Sequence, residues 1–202
     1  MTDAPATPSR IERKRAQRVA ELERAAARLF AQRGYDRTNF EDVAAELDLR
    51  GPSLYHYFSS KDDLLRRCLR SSSEEVLGRL RAIADTPAPP ADLLRALFRE
   101  QVLIEVRDFP EFAPLFLTMP VSVPDIRELV LEVRRAHAAI FEDVAHRVVD
   151  GLGPDALRVR MSVVFGALAY IPEWYDPAGS LAPEALADEL ADTLLALFSS
   201  SR

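Results

Sequence analysis

Residues 38 to 65 read TNFEDVAAELDLRGPSLYHYFSSKDDLL. Thr38 and Glu41 have the spacing of a capping box, which starts a helix. Phe40, Val43, Ala44 and Leu47 recur at helical spacing and give that helix one apolar face. Asp48 and Leu49 make a short turn, where Asp tolerates the left-handed backbone better than most residues. A second short helix is expected to open at Pro52, with Gly51 as its cap and Arg50 free before it. Leu54 and Phe58, four apart, anchor it inward. Ser53, Tyr55, His56 and Tyr57 are left facing outward with hydrogen-bonding groups. Ser60 and Asp63 form the next capping box, and Lys61 stands at the start of the helix that follows. Two short helices joined by a tight turn are the helix-turn-helix plan for entering a DNA groove.

Two runs carry a more specific signal. ARLFAQRGYDRTNFEDVA (27–44) and LYHYFSSKDDL (54–64) resemble the TetR (tetracycline repressor) family of bacterial transcription regulators. The close resemblance covers about residues 10 to 65. The chain departs from the family where Asp48 replaces a usual Gly, and where Arg50-Gly51-Pro52-Ser53 replaces a simple Ser cap. The resemblance implies a DNA-binding regulator, a repressor in its usual form, acting as a homodimer on a near-palindromic operator and released by a small molecule. The DNA-contacting set it implies is Thr38, Asn39, Arg50, Gly51, Pro52, Ser53, Tyr55, His56, Tyr57 and Lys61. Within it, Tyr55, Tyr57 and Lys61 are expected on phosphates, and Arg50, Ser53 and His56 on bases.

Charge is divided along the chain. The net charge is −6, but residues 1 to 70 hold 14 Lys+Arg against 11 Asp+Glu, and residues 71 to 202 hold 12 against 21. A basic reading head on an acidic body is the physical reading. Arg10, Arg13, Lys14, Arg15 and Arg18 cluster at the start of the first helix, either as a solvated face or as phosphate contacts. Cys68 is the only cysteine, so no intrachain disulfide forms and a cytoplasmic setting is expected. No apolar run is long enough to cross a bilayer, so no membrane partner is expected. The first nine residues read as a disordered leader without an apolar signal core.

The body reads as helices throughout: an all-α chain of nine or ten helices, with a helix-turn-helix domain at 10–60 and an effector-binding and dimerisation domain at 61–202. Ser9 and Glu12 cap the first helix, and Gly34 closes it. Further helices are expected at about 61–84, 91–107, 124–150, 154–170 and 183–198, with a broken one near Pro110 and Pro114 and a loop at 119–124.

Polar residues on apolar stripes are the informative ones here. Gln101 and Glu105 interrupt the stripe of the 91–107 helix, and His137 interrupts that of the 124–150 helix, with Arg134 beside it. Buried polar groups need partners. Either these four satisfy one another, or they line a ligand site with Phe98, Phe112, Phe116, Phe165 and Trp174. The last two helices are apolar enough to form a two-fold four-helix interface of the kind the family uses. Its expected residues are Val163, Gly166, Ala167, Tyr170, Leu186, Leu190, Leu194 and Leu197.

Glu173 to Leu190 carries a second, weaker resemblance, to family members that control lipid or steroid catabolism and respond to acyl-CoA thioesters. A largely apolar effector is therefore expected, with an acyl-CoA as its implied class. A cationic, drug-like compound acting on an efflux gene is the alternative. No nucleophile motif, phosphate loop or metal-spaced His/Cys cluster is present, so neither an enzyme nor a cofactor is expected. A helical adaptor without DNA binding is the rival from another class.

Overall fold

The computed structural model describes residues 9–118, 123–149 and 151–199. Among them it holds eight α-helices and no strand: α1 (Arg10–Arg33), α2 (Phe40–Glu46), α3 (Lys61–Ala84), α4 (Pro90–Leu103), α5 (Pro124–Val148), α6 (Pro154–Ala169), α7 (Ile171–Trp174) and α8 (Pro183–Ala196). The fold class is all-α as expected, with fewer α-helices than nine or ten. The shortfall has a local reason: the backbone is 3-10 at Gly51–His56 and π-helical at Ile104–Asp108 and Pro114–Thr118. The expected leader lies outside the described residues, as does 119–122 of the expected loop. Two compact units divide between Cys68 and Leu69, so the first two turns of α3 belong with the first unit.

In the first unit, α1 starts at the expected capping box. Glu12 N–H donates to Ser9 Oγ, and Ser9 N–H donates to the Glu12 carboxylate. It ends at Gly34, whose φ of 80° favours glycine. The box at α2 lies one residue later than the sequence pattern suggests. Asn39 and Asp42 exchange the reciprocal bonds, each at 2.9 Å. Thr38 is instead buried, and its hydroxyl donates to Gly34 O at 2.9 Å, tying α2 to the end of α1. Asp48 takes the turn at φ 54°. The unit's core comes from Leu22, Ala26 and Phe30 of α1, Phe40 and Val43 of α2, Leu54 and Phe58, and Leu65 of α3. Cys68 closes it, its thiol donating to Glu23 O at 3.2 Å.

In the second unit, α4 and α8 pack antiparallel. Their long apolar contact is built from Leu93, Leu94, Leu97 and Phe98 against Leu186, Ala187, Ala191 and Leu194. Ion pairs run down the seam in opposite sequence order: Arg95 with Asp192, Arg99 with Asp188 at 2.8 Å, and Arg107 with Glu184 at 2.8 Å. Exposed pairs of this kind add little stability, and their order follows the antiparallel packing that the apolar contact sets. Phe98 also stacks on Phe141 of α5 at 5.9 Å and meets Phe198 at 6.0 Å. Arg79 of α3 joins Glu100 and Asp108, at 2.5 and 2.7 Å.

Helix α6 is only half covered. Leu157, Met161, Val164 and Leu168 face inward, while Val159, Ser162, Val163, Gly166 and Ala167 face out. Within one chain the outer face of this apolar helix is left uncovered. Among the described residues no helix is long and apolar enough to cross a membrane.

Candidate functional site

The first unit presents a compact polar surface around its 3-10 segment. The turn is tight because Arg50 O accepts from Ser53 N–H at 2.9 Å and Leu54 O from both Tyr57 and Phe58 N–H. The segment opens at Gly51, with Arg50 as its cap residue and Pro52 second, one residue earlier than the sequence suggested. Leu54 and Phe58 are buried, and Tyr55 and His56 are exposed, Tyr55 by 61%. Tyr55 stands edge-on to Phe40 at 4.7 Å. Ser53 and Tyr57 are half-buried, Arg50, Pro52 and Asn39 are exposed, and Thr38 is buried. Thr38 therefore holds the scaffold rather than facing out.

Lys61, expected on a phosphate, is also engaged within the unit. Its ammonium donates to Tyr35 O at 2.9 Å and lies 4.0 Å from the centre of the Tyr35 ring. The Tyr35 hydroxyl in turn meets the Asp62 carboxylate. Lys61 and Asp62 thus clamp the loop after α1 onto the start of α3, which is why a lysine and an acid are needed there side by side. The basic cluster at the start of α1 stays exposed, apart from Arg18, which pairs with Glu21 at 2.7 Å.

The second unit buries three polar side chains together. Gln101 Nε2 donates to Glu105 Oε1 at 2.7 Å, and Gln101 Oε1 lies 2.8 Å from His137 Nε2. All three are almost wholly buried. His137 is enclosed by aromatic rings: Phe141 at 5.0 Å, Phe165 at 5.6 Å and Phe112 at 5.7 Å. Phe116 lies against Phe112 at 4.7 Å. Burial lowers the His137 pKa to about 4. Burial likewise raises the Glu105 carboxyl to about 8, with the Gln101 hydrogen bond opposing. Both groups are therefore uncharged at neutral pH, as an apolar setting demands. Glu105 Oε2 is buried without a hydrogen-bond partner among the described residues. Glu105 sits in the π-helical stretch after α4, a distortion frequent at functional sites.

Two expected members stand apart. Arg134 does not join the trio, because its Nε donates to Phe116 O in the second π-helical stretch. Trp174 is 50% exposed on α7 and stands edge-on to Tyr175. Sequence reading missed the π-helical stretches, and no residue pattern within them marks the change of backbone.

The interface residues also divide. Val163, Gly166, Ala167 and Tyr170 are exposed, Val163 by 52% and Tyr170 by 64%. Leu186 and Leu194 are instead buried against α4 of the same chain, with Leu190 and Leu197 half-buried. α4 takes Leu186 and Leu194 of the α8 stripe, because it offers them a matching apolar face.

Known proteins share both units. The model of bacterial regulatory proteins of the tetR family matches residues 23–68, and that of the tetracyclin repressor-like C-terminal domain matches 87–198. The HTH-type transcriptional repressor KstR2 of Mycolicibacterium smegmatis is 38% identical over 95 residues, 47% of this chain and 44% of that protein. The match thus spans under half the length of this curated relative. A TetR-family transcriptional regulator from Bordetella parapertussis aligns with TM-score 0.75 and 26% identity, over 89% of this chain and 94% of its own. The structure of AibR in complex with isovaleryl coenzyme A and operator DNA aligns with TM-score 0.74 and 22% identity, over 88% and 98%. With one model on the helix-turn-helix and another on more than half of the chain, this protein belongs to the TetR family of bacterial regulatory proteins.

Proposed function

We propose that this chain is a ligand-responsive transcriptional repressor, not an enzyme, that works in the cytoplasm. It binds a near-palindromic operator as a homodimer, and a largely apolar effector releases it. The observation that carries the DNA role is the 3-10 segment, with Leu54 and Phe58 buried and Tyr55 and His56 exposed beside Arg50. Arg50 and His56 read base edges, while Tyr55, Tyr57 and the start of α1 meet phosphates. Two copies related by a two-fold axis require two inverted half-sites.

The dimer forms through the outer face of α6, where Val159, Val163, Gly166 and Tyr170 leave an apolar strip uncovered. The effector is held in the second unit by the Gln101–Glu105–His137 trio and its aromatic enclosure. It must favour the released state over the operator-bound one, since equal affinity for both shifts nothing. An acyl-CoA thioester is the favoured class. AibR, of the same fold, has been crystallised with one such thioester, and an uncharged trio suits an acyl chain better than a cation.

Selection from a random duplex pool, followed by titration in rising salt, tests the proposal. A selected inverted repeat whose binding weakens with salt is expected. Absence of any salt-dependent binding would leave a helical adaptor as the function.

A further inference from the structure

We infer that Glu105 is the polar anchor of the effector site, its free carboxyl oxygen donating a hydrogen bond to a carbonyl oxygen of the ligand. The inference rests on the effector reading above and specifies its chemistry. Glu105 Oε1 already accepts from Gln101 at 2.7 Å, whereas Oε2 is buried and has no hydrogen-bond partner among the described residues. An orphaned buried polar atom costs about as much as a lost hydrogen bond, so a site that keeps one gains when a ligand satisfies it. The acid proton belongs on Oε2, because Oε1 faces an N–H donor.

The surroundings keep the acid neutral. His137 reaches Glu105 only through Gln101 and is itself uncharged. Arg107 and Asp108, on the same stretch, are turned to one another, to Glu184 and to Arg79. Glu173 of α7, the helix packed on this stretch, is exposed. Burial raises the Glu105 carboxyl, and the Gln101 hydrogen bond opposes it. A protonated carboxyl is a donor to a thioester, ketone or ester oxygen, while a cationic ligand would require the carboxylate. The two ligand classes therefore demand opposite protonation states of one residue.

The test uses the intact protein on its selected operator. Straight-chain acyl-CoA thioesters from C4 to C16 and isovaleryl-CoA are titrated at pH 7 and pH 9, with rhodamine 6G as the cationic probe. For the wild type, thioester affinity should be about tenfold weaker at pH 9, because the protonated fraction falls through a pKa near 8. Glu105→Gln keeps a donor of the same shape, so it should release the operator at similar thioester concentrations and lose the pH dependence. Glu105→Leu should bind thioesters at least tenfold more weakly.

A flat wild-type pH profile, or full affinity in Glu105→Leu, would overturn the anchor while leaving a thioester-responsive repressor in place. Release by rhodamine 6G that strengthens at pH 9 and disappears in Glu105→Gln would overturn it in favour of a cation. If no thioester releases the operator, both the anchor and the thioester class fail, and DNA binding alone survives. The wild-type pH profile decides the matter even if a variant folds poorly.

Discussion

His137 Nε2 lies 2.8 Å from Gln101 Oε1, and this contact fixes the proton on Nε2. Gln101 spends its amide N–H on Glu105, so its oxygen can only accept, and the imidazole must donate. One glutamine thereby links α4 to α5 and sets the polarity of a buried chain of three groups.

Removing the middle of that chain should be costly. Gln101→Leu leaves a donor on His137 and an acceptor on Glu105 without partners, at about 1–3 kcal/mol each. Urea unfolding should show a loss of that order. Replacing all three by apolar residues of similar size should be far milder, because nothing polar is then left buried. Equal losses in the two variants would mean that packing, not hydrogen bonding, is what the trio supplies.

Stability should depend on pH in two windows of opposite sign. His137 has a folded pKa of about 4, below its ordinary 6.5. Between those values the unfolded chain binds more protons, so stability falls as pH drops from 6.5 towards 4. Glu105 has a folded pKa of about 8, above its ordinary 4.5. Its contribution is full below 4.5 and is lost as pH rises towards 8. From 4.5 to 6.5 the two oppose one another, and from 6.5 to 8 Glu105 acts alone of the pair. Denaturant midpoints should decline with pH across that upper window in the wild type and stay level in Glu105→Gln.

Lys61→Ala should act on the stability of the first unit more than on phosphate binding. It removes the bond to Tyr35 O and the contact with the Tyr35 ring. A loss of about 1–2 kcal/mol in unfolding is expected. The slope of log affinity against log salt should change by much less than one. A slope smaller by a full unit, with stability unchanged, would restore Lys61 to the phosphate-contacting set.

Arg50→Ala should relax selectivity at one position of each half-site, by about 1–3 kcal/mol, with little effect on folding. The side chain is exposed and makes no cap bond. Repeating the selection with this variant is the measurement, and an unaltered site profile would exclude base reading by Arg50.

Gly166→Glu separates dimerisation from folding. Among the described residues nothing lies within 4 Å of a Cβ built at Gly166, so a larger side chain fits the single chain. At a two-fold contact the same substitution buries two unpaired charges. Sedimentation should find folded monomers with weakened operator binding. Intact dimers would move the interface away from this face of α6.

How much was legible depended on whether the signal was local. The helix-turn-helix was readable because every part is written within a few residues: Ser9 and Glu12 as a cap, Asp48 at φ 54°, and Leu54 and Phe58 one turn apart. The all-helical class followed from apolar spacing for the same reason. Even there, the cap of α2 shifted by one residue, since Thr38 and Asn39 both suit the position and carbonyls of α1 and Gly34 claim the Thr38 hydroxyl.

What lay across the chain was decided by tertiary packing. Sequence spacing marked Gln101, Glu105, Arg134 and His137 as polar intruders on apolar faces. Only the fold joined three of them and gave Arg134 to the carbonyl of Phe116. The leucines of α8 show the same limit. Periodicity fixes which residues share a face, but the partner of that face is whatever complementary surface the fold brings to it. Here α4 took Leu186 and Leu194, and the outer face of α6 was left uncovered.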